Sequence, residues 1–461
     1  MIFEIVGQRL DGSQNVFLYD NETNRLSIKY TGFVFEFQDA AEKVETRTPY
    51  RAFSADEPFG KSKSLQVLKI QLGLSCNYSC EYCSQRFVAR PEETTKRDID
   101  QFISKLEHLE FQEEKGLKIE FWGGEPLVYL KTLIPLVKAL DEHFKSWSRK
   151  PIYSVITNGS LLNDEICDWL IENQFSVAIS HDGPGQSVRG PDPFDDEKTR
   201  LAVYRLYRAL RPVNRISFNA MLSRSNTSRK TIYDWFVKFT GDPNVPLGEG
   251  SLVDAYDDGG YGNSLSTLEE HFAFRKQAFN DILEFNGDIG FSAVLDKVYQ
   301  FTRDVLSHNE AKYLGQKCGM DNRDVLAVDL KGNVITCQNV SAVETAMNGE
   351  SHKAGTIEDI EAVQVKTATH WSKRPDCASC PVLHLCRGSC MYLQDKYWDI
   401  SCANAYSDNI ALLALSFEKI TGGFIPVYIK ADHLPPERRD IWGVALKHEE
   451  AKPRVIPIQP I

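Results

Sequence analysis

Leu72-Gly-Leu-Ser-Cys-Asn-Tyr-Ser-Cys-Glu-Tyr-Cys-Ser-Gln-Arg86 places Cys76, Cys80 and Cys83 in a C-x3-C-x2-C spacing. Three thiolates this close can hold one cofactor. A closed zinc site takes four protein ligands, usually as two C-x2-C pairs, whereas three clustered cysteines suit an iron–sulfur cluster with one iron left free for another molecule. The preceding run, Leu65-Gln-Val-Leu-Lys-Ile-Gln-Leu, alternates and is rich in aliphatic residues, which predicts a strand feeding straight into the cysteine loop.

One strand-helix unit later comes Phe121-Trp-Gly-Gly-Glu-Pro-Leu. Gly-Gly alone is a turn signal, but adjacent glycines also let backbone approach a ligand closely, and a Glu carboxylate can take an ammonium group. With Tyr82 as its aromatic position, the cysteine loop resembles the signature of radical S-adenosylmethionine (SAM) enzymes, and the second stretch resembles that family's GGEP motif. The resemblance implies that Cys76, Cys80 and Cys83 hold a [4Fe–4S] cluster whose fourth iron binds SAM. Reduction of the cluster then splits SAM to a 5′-deoxyadenosyl radical. Gly123, Gly124 and Glu125 would hold the SAM amino group. Further strand ends read Ile156-Thr-Asn-Gly-Ser160 and Ile179-Ser-His-Asp-Gly-Pro184. By the same resemblance Ser180 and Asp182 fit the ribose and methionine region, Arg189 fits the arginine on the SAM carboxylate, and Asn219 is a further candidate. The plain alternative for these residues is a loop cap or turn former, and for His181 a hydrogen-bonded structural role.

A second cysteine group begins at Cys318. Its gaps read C-x13-G-x4-C to Cys337, then C-x2-C-x5-C-x3-C through Cys377, Cys380, Cys386 and Cys390, then Cys402. Four of these could satisfy one zinc ion, but that leaves three unexplained. The pattern resembles the SPASM extension of radical SAM enzymes, which binds two auxiliary iron–sulfur clusters. The resemblance gives Cys377, Cys380, Cys386 and Cys402 to an outer cluster, and Cys318, Cys337 and Cys390 to an inner one. The inner cluster is then one ligand short; either the site is open or an oxygen of Asp321 or Asp324 closes it. Cys167 lies in a helical pattern and reads as a buried small hydrophobe.

Strand patterns at Leu65–Leu74, Leu117–Trp122, Ile152–Thr157, Phe175–Ser180, Ile216–Leu222 and Gly248–Val253 alternate with helical ones, which implies right-handed crossovers and a parallel sheet. The expected fold is α/β, a partial (β/α)6 radical SAM barrel over residues 63–305 with its cofactors at the carboxyl ends of the strands. An antiparallel β segment over 1–62 precedes it, read as a lid or sheet extension. A SPASM domain over 306–423 and a tail over 424–461 follow. Within the SPASM region a hairpin at Asp329–Thr336 carries Cys337, and Ala403–Lys419 is helical.

The net charge of −11 argues against nucleic acid or an anionic membrane as the main partner. No basic-then-apolar start and no long apolar run is present, so a cytoplasmic protein is expected. Eleven cysteines in such a chain point to metal rather than disulfides. SPASM enzymes mainly modify peptides, which makes a maturase of a ribosomally made peptide the leading expectation, forming a thioether or C–C crosslink. Its partners would be a precursor peptide and a reductant such as a flavodoxin or ferredoxin. The first alternative is an anaerobic sulfatase maturase making formylglycine; those enzymes typically carry an Asp base directly after the second SPASM cysteine, where this chain has Gln338. The other is a non-catalytic iron–sulfur electron carrier or zinc scaffold.

Overall fold

A computed structural model describes residues 1–37, 48–284 and 291–444. At its centre six parallel strands, Val67–Gln71, Lys118–Trp122, Ile152–Thr157, Ser176–Ser180, Ile216–Leu222 and Leu247–Leu252, lie side by side in chain order. The alternation that predicted them has a physical cause on each side. Leu68, Ile70, Ile119, Phe121, Val155, Val177, Ile179 and Phe218 are buried beneath the crossover helices. The opposite residues, among them Lys69, Glu120, Ser154, Ser176 and Ser217, line an open lumen of about 490 Å³. The helices Asp164–Glu172, Glu197–Leu210 and Arg229–Thr240 start where the side chains of Asn163, Asp196 and Ser228 accept a backbone N–H. This is a mixed α/β fold around a parallel sheet, as the resemblance implies. The first strand ends sooner than its pattern, because Leu72 onward bends into the cysteine loop.

The region carrying the second cysteine group joins the same sheet. Val325–Asp329 pairs parallel with Val67–Gln71, and Asn333–Ile335 and Lys353–Thr356 continue it antiparallel. The expected hairpin is therefore present, and Cys337 emerges beside the first barrel strand.

At the chain start, Ile2–Gln8, Gln14–Asp20 and Arg25–Ile28 form an antiparallel sheet. Phe33–Phe37, which alternates like a strand, makes a single bridge from Val34 to Ser27. A fourth strand comes from the segment expected to be a tail: Ile425–Lys430 pairs with Ile2–Gln8. Phe17 packs edge-on against Phe417 and Phe424, fastening this sheet to the helix Asp395–Thr421. That helix starts well before the expected Ala403. The helix Ser292–Leu306, which the sequence reading did not separate, packs against it through Val298, Phe301 and Val305. Residues 38–47 of the N-terminal segment and 445–461 of the tail lie outside the described residues. Among the described residues no helix is long and apolar enough to cross a membrane.

Candidate active site

The cysteine loop and the Gly-Gly-Glu turn are laced together by backbone. Gly124 N–H donates to Gly73 O at 3.1 Å and Glu125 N–H to Ser75 O at 3.0 Å. A Cβ on Gly124 would sit 2.5 Å from both Leu74 O and Ser75 O, and one on Gly123 would sit 2.7 Å from Gly73 O. The glycine pair, whose motif implies close approach to a ligand, has the cysteine loop itself as its nearest neighbour. Gly73 turns with φ +153, and Tyr129 takes the space beside it. The Tyr129 hydroxyl accepts from Ser75 N–H at 2.7 Å and donates to Glu93 at 2.9 Å.

Glu125 is 1% exposed. Its carboxylate accepts from Leu127 N–H at 3.0 Å, Thr157 Oγ1 at 2.7 Å and Asn158 N–H at 2.7 Å. Burial raises its pKa against those three bonds. The carboxylate thus ties the second strand's end to the third. Asn158 continues the chain of contacts, its amide donating to Asn77 Oδ1 at 2.9 Å, inside the cysteine loop.

Cys76, Cys80, Cys83, Gly123, Gly124, Glu125, Ser180 and Arg189 line one cleft of about 190 Å³ at the carboxyl ends of the strands. Burial pushes the Cys80 thiol up to about 11, with Arg189 opposing. Tyr82, Asp182 and Asn219 do not line this cleft. The Tyr82 hydroxyl bonds Asp182, Arg189 Nη1 reaches that hydroxyl at 2.9 Å, and Asp182 Oδ1 accepts from Met221 N–H at 3.0 Å. These two residues therefore hold Arg189. Asn219 sits in register with Ser180 on the neighbouring strand. His181 is structural: it is fully buried, bonded through Nε2 to Asp192 at 3.0 Å, and packed against the rings of Phe194 and Trp235.

Three buried donors on residues lining the cleft make no hydrogen bond within the protein, Gln85 Nε2, Arg86 Nε and Arg189 Nε. Unpaired buried donors are costly unless a ligand satisfies them. Gln85, Asn158 and Asn339 also line the cleft and were not singled out from the sequence. Asn158 and Gln85 stood inside stretches already quoted; Asn339 follows Cys337 by two positions, which only the hairpin's place in the sheet makes meaningful.

Burial dominates the electrostatics of the second cysteine group. Burial and then Cys318 raise Cys337 to about 11, and Cys390, at about 12, is raised by burial, Asp254 and Cys318. Burial followed by Cys386, Cys402 and Cys380 raises Cys377. Among the described residues no three His, Cys, Asp or Glu side chains converge on a point sized for one metal ion. Asp321, one of two carboxylates considered for the inner set, gives Oδ2 to Gln316 N–H at 3.0 Å and leaves Oδ1 buried without a partner. Lys61 anchors the same loop, donating to Met320 O at 2.6 Å and Asn322 O at 3.0 Å.

Residues 70–231 match the Radical SAM superfamily. The chain thus carries a radical SAM domain over these residues. It is 25% identical over 363 residues to the radical SAM cyclopropyl synthase TigE of Paramaledivibacter caminithermalis, covering 73% of this chain and 70% of that one. It is 23% identical over 362 residues to a cysteine-type anaerobic sulfatase-maturating enzyme of Clostridium perfringens, covering 70% and 88%. The solved structure of native anSMEcpe with bound AdoMet aligns with a TM-score of 0.54 at 18% identity, over 77% of this chain and 98% of that one.

Proposed function

We propose that this enzyme is a peptide maturase that removes hydrogen from a ribosomally made precursor peptide and leaves an oxidative thioether or C–C crosslink. The observation that carries the reading is Asn339, which brings the second cysteine region into the wall of the cleft formed by Cys76, Cys80 and Cys83. One cleft bordered by both regions suits a reaction that generates a radical at one place and needs an electron acceptor or thiolate holder beside it.

In this reading Cys76, Cys80 and Cys83 hold the SAM cluster, with Cys318, Cys337 and Cys390 on an inner auxiliary cluster and Cys377, Cys380, Cys386 and Cys402 on an outer one. A flavodoxin or ferredoxin would supply one electron to that cluster, and bound SAM would then supply a 5′-deoxyadenosyl radical with methionine left behind. Arg189, held by Tyr82 and Asp182, pairs with the SAM carboxylate. Gly123 and Gly124 offer backbone to the amino group, and Glu125 keeps that turn in place. Ser180 faces the ribose region. Trp122 and Ile156 add apolar surface to the cleft wall, limiting water around the reacting carbon.

Relatives among the sulfatase maturases support a second reading, formylglycine formation. Against it, the position after Cys337 holds Gln338, an amide whose Oε1 lies 3.7 Å from the Cys337 sulfur and which cannot serve as a carboxylate base. Mass spectrometry decides between them, after anaerobic incubation of the reconstituted enzyme with SAM, reductant and the short peptide encoded beside its gene. A peptide lighter by two hydrogens, with 5′-deoxyadenosine formed alongside, is the expected result. An unchanged peptide together with conversion of a sulfatase fragment would replace this reading by the second.

A further inference from the structure

The cysteines assigned to the outer cluster lie in an unusually cationic setting. Arg374 counters Cys377, Lys297 and Lys317 counter Cys386, and Arg438 counters Cys380. Of these, Arg438 touches sulfur: its Nη2 donates to Cys402 Sγ at 3.3 Å. Arg438 belongs to the short helix Pro436–Arg439, beyond the strand Ile425–Lys430. Tyr406 shares a helix with Cys402 and fixes it there. The Tyr406 hydroxyl donates to Arg438 O, and the guanidinium lies 5.0 Å from the Tyr406 ring centroid.

We propose that Arg438 is a positioning residue for the outer auxiliary cluster, donating an N–H···S hydrogen bond to Cys402 that makes the cluster easier to reduce. The inference rests on the assignment of Cys377, Cys380, Cys386 and Cys402 to one cluster. Reduction adds negative charge that spreads onto the cysteine sulfurs, so a cation and a donor held against one sulfur stabilise the reduced form and raise the potential. The remaining cations act at longer range. Arg374, for instance, stacks on Trp398 at 3.7 Å and donates to Met391 O and Leu393 O.

The test is an anaerobic redox titration followed by electron paramagnetic resonance on the full-length reconstituted enzyme, as wild type, Arg438→Gln and Arg438→Lys, with iron counted in each. Arg438→Gln should shift one auxiliary signal to more negative potential and leave the SAM-responsive signal in place. Arg438→Lys, which keeps the charge but loses the planar fork, should shift the same signal less. An unmoved auxiliary potential at full iron content in either variant, or an equal shift of every signal, would overturn the role of Arg438. If Arg438→Gln fails to retain iron, the Arg438→Lys titration alone decides. Wild-type protein holding a single cluster's worth of iron would instead remove the auxiliary-cluster assignment on which the inference stands.

Discussion

The two cysteine regions are built on opposite plans. Cys76, Cys80 and Cys83 come from one short loop at the rim of an open cleft, and Cys76 is exposed. The set from Cys377 to Cys402 is gathered from a loop, a helical turn and a long helix, with Cys377 and Cys380 buried. A rim loop fits a site whose ligand enters and leaves at each turnover. A half-buried set that a long helix completes from Cys402 fits a group placed once and then insulated. The difference predicts that damage to the first region strikes chemistry and damage to the second strikes stability and electron flow.

The largest separation expected is chemical. Cys80→Ala should bring SAM cleavage, measured as 5′-deoxyadenosine under reductant, down to the background of protein without iron. Retained cleavage would remove Cys80 from the cofactor set.

Acid should discriminate next. His352, His370 and His384, all in the second region, are held neutral by burial with pKa about 4, against an ordinary 6.5. The unfolded chain takes up these protons at higher pH than the fold does. Their contribution is therefore complete above 6.5 and lost as pH falls toward 4, on the order of 3 kcal/mol for each ring. Denaturant melts from pH 7 to 5 that show no decline would contradict this.

Within the first region, Gly124→Ala forces a methyl against two carbonyl oxygens that are backbone and cannot swing away. A loss of about 1–3 kcal/mol in unfolding free energy is expected, and a neutral result would mean the two loops are not in register. The smallest effect is Glu125→Gln. The amide turns an acceptor into a donor among two backbone N–H groups and the Thr157 hydroxyl, costing about 1 kcal/mol; a stabilised variant would show that the carboxylate is not so engaged.

Most of the barrel was legible because its strands are amphipathic, one side against helices and the other against the lumen, and its motifs sit in consecutive strand-to-helix turns. The pairing of Ile425–Lys430 with Ile2–Gln8 was not, since a ladder between chain ends leaves no local pattern. The helix Ser292–Leu306 carries a helical stripe, but it falls where a boundary was drawn at 305. Cysteine spacing marks the candidate site residues; their partners are hidden. Nothing in Gly-Gly-Glu-Pro says that the carboxylate points at Thr157 and Asn158, and nothing near Arg438 announces a sulfur.

The central claim, that the open cleft and the half-buried set do separate work in one reaction, is tested most directly by Cys377→Ala. In the iron-reconstituted variant, 5′-deoxyadenosine and modified peptide would be quantified in the same reaction. The account predicts that SAM cleavage persists while modified peptide is lost. Full product formation at wild-type yield would contradict it, as would an equal collapse of both in protein shown to be folded and to retain the SAM cluster.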